Sequence, residues 1–243
     1  WELLPACYRS AADPAEGLIS WGLDVIDAVQ DIVPAVKPQM AFFEVFGAAG
    51  LQVHRQLTDH AHACGLMVID DSKRSDIGNT ARAYAFAHLA EAGPVNADFM
   101  TINPFLGVGS MQPFLDTAAK EQKGLFVLVK TSNPDSHLIA GAVTGSGETV
   151  EELLAAWVRE NGGGMCGRHG YSSLGAVVGA THPAAAARLR QQMPRCFFLV
   201  PGFGAQGGTA EDVLPCFDEQ GLGAVVSSSR GILYPSPPNG GSA

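Results

Sequence analysis

Basic charge is in short supply in this chain. Fifteen Lys and Arg face 24 Asp and Glu, a formal net charge of -9 at pH 7. That balance argues against nucleic acid or anionic membrane as the main partner, and leaves room only for a local basic pocket that takes a small anion. Cysteine is sparse too. The five present (Cys7, Cys64, Cys166, Cys196, Cys216) are scattered, odd in number and without CxxC spacing. They read as reduced thiols of a cytoplasmic protein, not as a disulfide framework. No apolar run approaches membrane-spanning length and no signal peptide is visible. The first residue is Trp1 rather than Met, so the natural start is expected upstream.

Apolar residues, by contrast, are plentiful at 47%, and they come in short runs separated by amphipathic segments. Strands are expected at 35–43 (leaving at Pro38), 65–71, 97–103, 124–130, 174–180, 196–202 and 223–229. Helices are expected at 17–33, 47–64, 81–92, 109–122, 148–161, 182–192 and 209–219, and 132–147 reads as loop. Short, nearly all-apolar strands alternating with helices signal a parallel sheet covered on both faces. The expected fold is α/β, a (β/α)8 barrel lacking its first strand and last helix, because seven strands can be counted where such a barrel has eight. No composition break divides the chain, so a single domain is expected over 1–234, with a disordered tail of Pro, Gly and Ser at 235–243.

With only 16% of residues charged, VIDDSKRSDIGNTA (68–81) is anomalous: three aspartates, a lysine and an arginine crowd the end of a buried strand. In a barrel the working groups sit at strand C-termini and in the loops that follow. Polar residues fall at such places repeatedly. Lys37 ends one strand, Asp71 and Lys73 the next, Asn103 the third, and Thr131 and Ser132 the fourth. Asp71 and Lys73 are two apart and can share one face. Asp76 lies beyond the strand near a helix start and is expected to face a neighbouring subunit. A solvated loop with surface ion pairs, or a helix-capping aspartate, is the plain alternative for DDSKRSD.

PGFGAQGGTAED (201–212) puts glycines ahead of a helix N-terminus, where backbone N–H groups can hold phosphate. Gly204, Gly207, the Gln206 amide and Arg230 are the candidates. His60 and His62 sit on one helix without a third ligand at metal spacing, so both read as surface histidines and no metal site is expected. GETVEEL (147–153) reads as a structural helix start with acidic residues suited to the dipole.

Taken together, these stretches resemble the orotidine 5′-phosphate decarboxylase family. The resemblance rests on D-x-K-x-x-D (Asp71, Lys73, Asp76) continuing as IGNTA, on VKPQMAFFE with Lys37, and on LVKTSNP, VPGFGAQGG and SSSRGI. It covers essentially the whole chain and is nearest to the bacterial branch with KPQ-FFE and KTSNP. The spacing D-x-K-x-x-D alone is shared with sister decarboxylases and aldolases. The resemblance implies a cytoplasmic homodimer of (β/α)8 barrels that converts orotidine 5′-phosphate to UMP and CO2 with no metal or organic cofactor. It implies that Lys37, Asp71, Lys73 and a partner's residue equivalent to Asp76 form an alternating charged network. Gln206 and Arg230 would hold the phosphate, Ser132 and Thr131 the pyrimidine, and Thr80 with Asp76 the ribose in the neighbouring subunit. Two other readings are a magnesium-dependent sugar-phosphate decarboxylase or aldolase, which would prefer an acidic ligand where Lys37 stands, and a non-catalytic nucleotide-phosphate scaffold.

The family also has a strand ending in a G-x-D-P-like turn before the first strand seen here, and a closing helix after Arg230. Asp13–Pro14 follows no strand and is a poor substitute. A chain extended upstream by one strand is therefore expected to be more stable and more active than these 243 residues.

Overall fold

The computed structural model of the protein describes residues 4–234, and the tail expected over 235–243 lies outside them. Contacts within the chain divide into two compact units, Trp1–Gly124 and Leu125–Ala243.

The first unit opens with two helices, α1 (Ala6–Arg9) and α2 (Pro14–Val29). Asp13 is the N-cap of α2, its Oδ1 accepting from the Ala15 amide at 2.9 Å, and Pro14 takes the first helical turn, where a missing N–H costs nothing. Asp13–Pro14 is thus a helix start, and α2 begins and ends earlier than the periodicity suggests. Strand β1 (Ala35–Val36) follows, then helices α3 (Ala41–Glu44) and α4 (Gly47–Ala63), strand β2 (Met67–Arg74), helix α5 (Gly78–Leu89), strand β3 (Phe99–Ile102) and helix α6 (Gln112–Glu121). β1 pairs parallel with β2 through Ala35–Met67 and Val36–Val68, and β2 pairs parallel with β3 from Ile69–Phe99 to Arg74–Ile102. β2 runs past Asp71 to Arg74 because pairing resumes beyond a register shift, at which Lys73 is left-handed with φ 50°. One apolar cluster joins α2, α4 and β2 through Leu18, Ile26, Val53, Leu57, Ala61 and Val68. The two helices meet closely: a Cβ on Gly22 would lie 2.6 Å from a Leu57 methyl carbon.

The second unit holds strand β4 (Gly124–Lys130), helices α7 (Ser136–Ala140) and α8 (Val150–Gly162), strand β5 (Ser172–Val178), helix α9 (Pro183–Gln192), strand β6 (Cys196–Val200), helix α10 (Ala210–Val213), strand β7 (Ala224–Val226) and helix α11 (Arg230–Leu233). Its neighbours β4–β5, β5–β6 and β6–β7 are all parallel. Residues such as Leu125, Val127, Leu174, Ala176, Phe198 and Val200 are fully buried, which accounts for their near-continuous apolar runs. Seven strands are thus described, as the sequence suggests.

Several expectations need correction. The strand expected over 35–43 ends at Val36, and residues 41–43 belong to helix α3, since the chain leaves the sheet before Pro38. The loop at 132–147 contains α7. The helix expected over 209–219 is one α-turn followed by a 3-10 turn at Leu214–Cys216, since Pro215 has no N–H to continue the ladder. The turn α11 follows the seventh strand, where the sequence suggested no helix. The start at GETVEEL is structural as expected: Thr149 and Glu152 form a capping box on α8.

Candidate active site

Strand β2 carries its charges on two faces, because side chains alternate along a strand. Asp71 points to one face, where four donors converge on its carboxylate. Lys37 Nζ donates to Oδ2 at 2.8 Å and Gln39 Nε2 to the same oxygen at 3.0 Å. Lys73 Nζ donates to Oδ1, and Thr101 Oγ1 donates there at 3.1 Å. Burial alone would push this carboxyl up; the flanking Lys37 and Lys73 ammoniums outweigh that and hold it below the ordinary carboxylate range. Two cations on one anion leave the cluster with an excess positive charge, suited to an anionic ligand. The Lys73 side chain is 43% exposed and that of Asp71 only 10%, so the ammonium stands on the solvent side of the carboxylate.

Asp70 points the other way. It is fully buried, with Ser72 Oγ donating to Oδ2 at 2.7 Å and His88 Nδ1 donating to the same oxygen at 2.6 Å. His54 Nε2 lies 3.4 Å from Oδ1. Arg74 Nε donates to His88 Nε2 at 3.2 Å, which fixes the ring as the Nδ1–H tautomer, and Arg74 also pairs with Glu44. Burial pushes the Asp70 carboxyl up, but the contacts from His54 and His88 prevail and hold it far below its usual range. The chain therefore uses neighbouring aspartates for two jobs, Asp71 outward and Asp70 to anchor the strand from behind.

The remaining expected residues of the first unit do not join the cluster. Asp76 turns its Oδ1 to the Ile77 amide at 2.8 Å, and no ion pair ties it to Lys37 or Lys73 among the described residues. Thr80 is exposed near the start of α5. Asn103 accepts from the Phe105 amide at 3.0 Å, capping a 3-10 turn at Pro104–Leu106.

In the second unit, Ser132 Oγ donates to Gln206 Oε1 at 2.6 Å, bringing together two candidates far apart in sequence. Thr131 Oγ1 instead donates to Asn133 Oδ1 at 2.6 Å. The loop 201–209 turns through Gly202, Gly204 and Gly207, with φ of 100°, 72° and 94°. Such values are open to glycine at little cost. The phosphate argument from a helix N-terminus needs correction here. The amides of Gly204, Gly207 and Gly208 are bonded inside the loop at 2.8, 2.8 and 3.0 Å. Those of Thr209 and Asp212 are taken by the capping box of α10, a helix too short for a substantial dipole. The amides of Ala205 and Gln206 and the Gln206 side chain are the donors left at the tip. Arg230, expected at the end of β7, lies at the first residue of α11 and is exposed.

Gln39, Thr101, Asp70, His54 and His88 were missed in the sequence. Gln39 had a signal: it follows Lys37 by two in an extended stretch, so both can face one way. The histidines had none, since helices α4 and α5 deliver them from afar.

The profile of the orotidine 5′-phosphate decarboxylase / HUMPS family matches residues 19–240. The chain belongs to this family. A member from Rhodopirellula baltica named orotidine 5′-phosphate decarboxylase is 46% identical over 215 residues, 87% of this chain and 71% of that protein. One of the same name from Clostridium perfringens is 37% identical over 96% of this chain and 80% of its own length. Among solved structures, a candidate orotidine 5′-phosphate decarboxylase from Streptomyces avermitilis superposes with a TM-score of 0.84 at 36% identity, covering 98% of this chain and 81% of that one. The OMP decarboxylase of Leishmania donovani gives 0.77 at 32% identity, over 95% of this chain and 83% of its own. The α/β barrel-type fold expected from the strand pattern is that of this family. No described helix is long and apolar enough to cross a membrane.

Proposed function

We propose that the chain decarboxylates orotidine 5′-phosphate to UMP, a step of pyrimidine biosynthesis, with the charge cluster on β2 as its chemical centre. The observation that carries this reading is the Lys37–Asp71–Lys73 arrangement, in which one carboxylate holds two ammoniums 2.8 Å away or closer. Breaking the bond between C6 of the pyrimidine and its carboxylate leaves an electron pair in the ring plane, where the π system cannot spread it. A fixed ammonium beside C6 stabilises that charge and then gives C6 its proton; Lys73 fills both roles. Lys73 leaves as the amine and regains a proton from solvent. Asp71 pairs with both lysines and orients them, and it adds repulsion toward the departing carboxylate. No step calls on a metal or an organic cofactor.

Gln206 and Arg230, with the loop of Gly204 and Gly207, are assigned to the phosphate, and Ser132 with Thr131 to the pyrimidine. Asn103 is kept as an accessory polar group. Asp76 and Thr80, both outside the intrachain cluster, are assigned to the ribose in the site of a second copy, which makes the working form a homodimer in the cytoplasm. The magnesium-dependent and non-catalytic alternatives gain no support from the relatives named above.

Turnover of orotidine 5′-phosphate, followed by its loss of absorbance with and without EDTA, tests the reading. Lys73→Ala is expected to abolish turnover while UMP still binds, and EDTA to change nothing. Near-normal turnover in that variant overturns the assignment of Lys73. Turnover that chelation stops and Mg2+ restores favours the sister-enzyme chemistry.

A further inference from the structure

The two histidines read from the sequence as solvent-facing diverge in the fold. His62 Nε2 donates to Asp98 at 2.9 Å. His60 meets two groups that sequence spacing does not place together. Its Nε2 is 2.6 Å from Asp27 Oδ1 and 3.7 Å from Cys64 Sγ, and Sγ is 4.0 Å from the same aspartate oxygen. Asp27 lies in the last turn of α2, His60 in the last turn of α4, and Cys64 is the C-cap of α4. Helix α2 brings Asp27 to His60 across 33 positions, which spacing within the HAH stretch does not show.

The shape of this cluster discriminates between two uses of a Cys, a His and an Asp. A nucleophilic relay needs the carboxylate on one ring nitrogen and the thiol on the other, so that a proton can pass through the imidazole. Here both partners face the same nitrogen, Nε2. Convergence of an oxygen, a nitrogen and a sulfur on one point is the pattern of coordination. Around Zn2+, with bonds of about 2.0–2.3 Å at tetrahedral angles, ligand atoms stand roughly 3.3–3.7 Å apart. The contacts to sulfur are near that edge length already. The short N–O contact is a hydrogen bond whose proton a metal would displace, and a small opening completes the triangle.

Two further features favour a cation. The C-terminal ends of α2 and α4 meet here, and each turns the negative end of its dipole toward the cluster. His60 and Cys64 are four apart on one helix, so a single face delivers both. We propose that Asp27, His60 and Cys64 form a binding site for a borderline divalent cation of the Zn2+ class, with water in the remaining position. The bound ion would link α2 to α4, whose apolar contact lies one turn before at Gly22 and Leu57.

Titration of the whole chain with Co2+ as a spectroscopic probe, followed by Zn2+ competition, decides the matter. The wild type is expected to develop a thiolate-to-cobalt charge-transfer band that saturates at one ion per chain and is displaced by Zn2+. Cys64→Ser should lose the band, and His60→Ala should weaken binding by at least about tenfold. Zn2+ should raise the melting temperature of the wild type and not of Cys64→Ser. Cys7 and Cys166 are exposed thiols and Cys64 is half-buried, so a band retained in Cys64→Ser places the metal elsewhere and overturns the site. Absence of a saturating band in the wild type, or unchanged affinity in His60→Ala, overturns it as well.

Discussion

Asp70 in the first unit and Arg190 in the second are both buried charges, and the two are held by partners of different kinds. Asp70 depends on His54 and His88, side chains that can themselves change charge. Arg190 instead spends all five of its N–H donors on backbone carbonyls. Nε and Nη2 donate to Cys216 O at 3.0 and 2.8 Å, Nη1 to Met193 O and Cys196 O at 2.8 Å each, and Nη2 also to Gly223 O at 2.8 Å. Its guanidinium stacks on Phe198, 3.7 Å from the ring centroid. Carbonyls do not titrate. The contrast teaches that one buried charge can be tied to groups that respond to pH and another to groups that do not.

Arg190→Ala is expected to show the largest effect, a loss of about 4 kcal/mol in stability, since a buried hub of carbonyls loses every donor at once. Arg190→Lys should recover little of it, because an ammonium cannot reproduce the planar fork. Chemical denaturation of both variants checks this, and full rescue by lysine would reduce the hub to a simple charge. Asp70→Asn comes next, with a loss of about 2 kcal/mol at pH 7. The folded carboxyl sits far below its usual range. Its contribution is therefore present above the unfolded value of about 3.9 and fades as pH falls from there toward the folded value. Denaturation midpoints measured from pH 7 down should bring the wild type toward Asp70→Asn, while the deficit of Arg190→Ala stays constant. A gap between wild type and Asp70→Asn that does not narrow in acid would break the comparison.

The smallest effects compare two left-handed residues, Lys73 at φ 50° in the first unit and Gly204 at φ 72° in the second. Gly204→Ala should cost about 1 kcal/mol although nothing lies within 4 Å of the added carbon. Lys73→Gly should be more stable than Lys73→Ala by about the same amount. Equal stabilities within either pair would mean that the backbone there relaxes.

The strand pattern was legible because buried parallel strands are written as local apolar runs, and β4 falls at the residues its sequence marks. Lys37, Asp71 and Lys73 were legible for the same reason: charge at the end of such a run has few structural uses. What stayed hidden depends on distance or on chain bending. The histidines beneath Asp70 come from two helices, and Asp27 stands 33 positions from the histidine it meets. Asn103 was read as a strand-end polar group and caps a turn, because the same side chain suits both roles. The glycine loop reads in the sequence as a place for backbone amides to hold phosphate, yet most of those amides close on one another, which no spacing rule reveals.

Lys73 in a left-handed conformation has a consequence for how this chain can change. Its backbone is held in a region that costs an L-residue about 1–2 kcal/mol, and its amide donates to Thr101 Oγ1 at 2.8 Å whatever side chain it carries. Glycine would keep that amide bond and release the strain. A library sorted for thermal resistance alone should therefore drift toward glycine at position 73, and only a screen that demands turnover would hold the lysine in place.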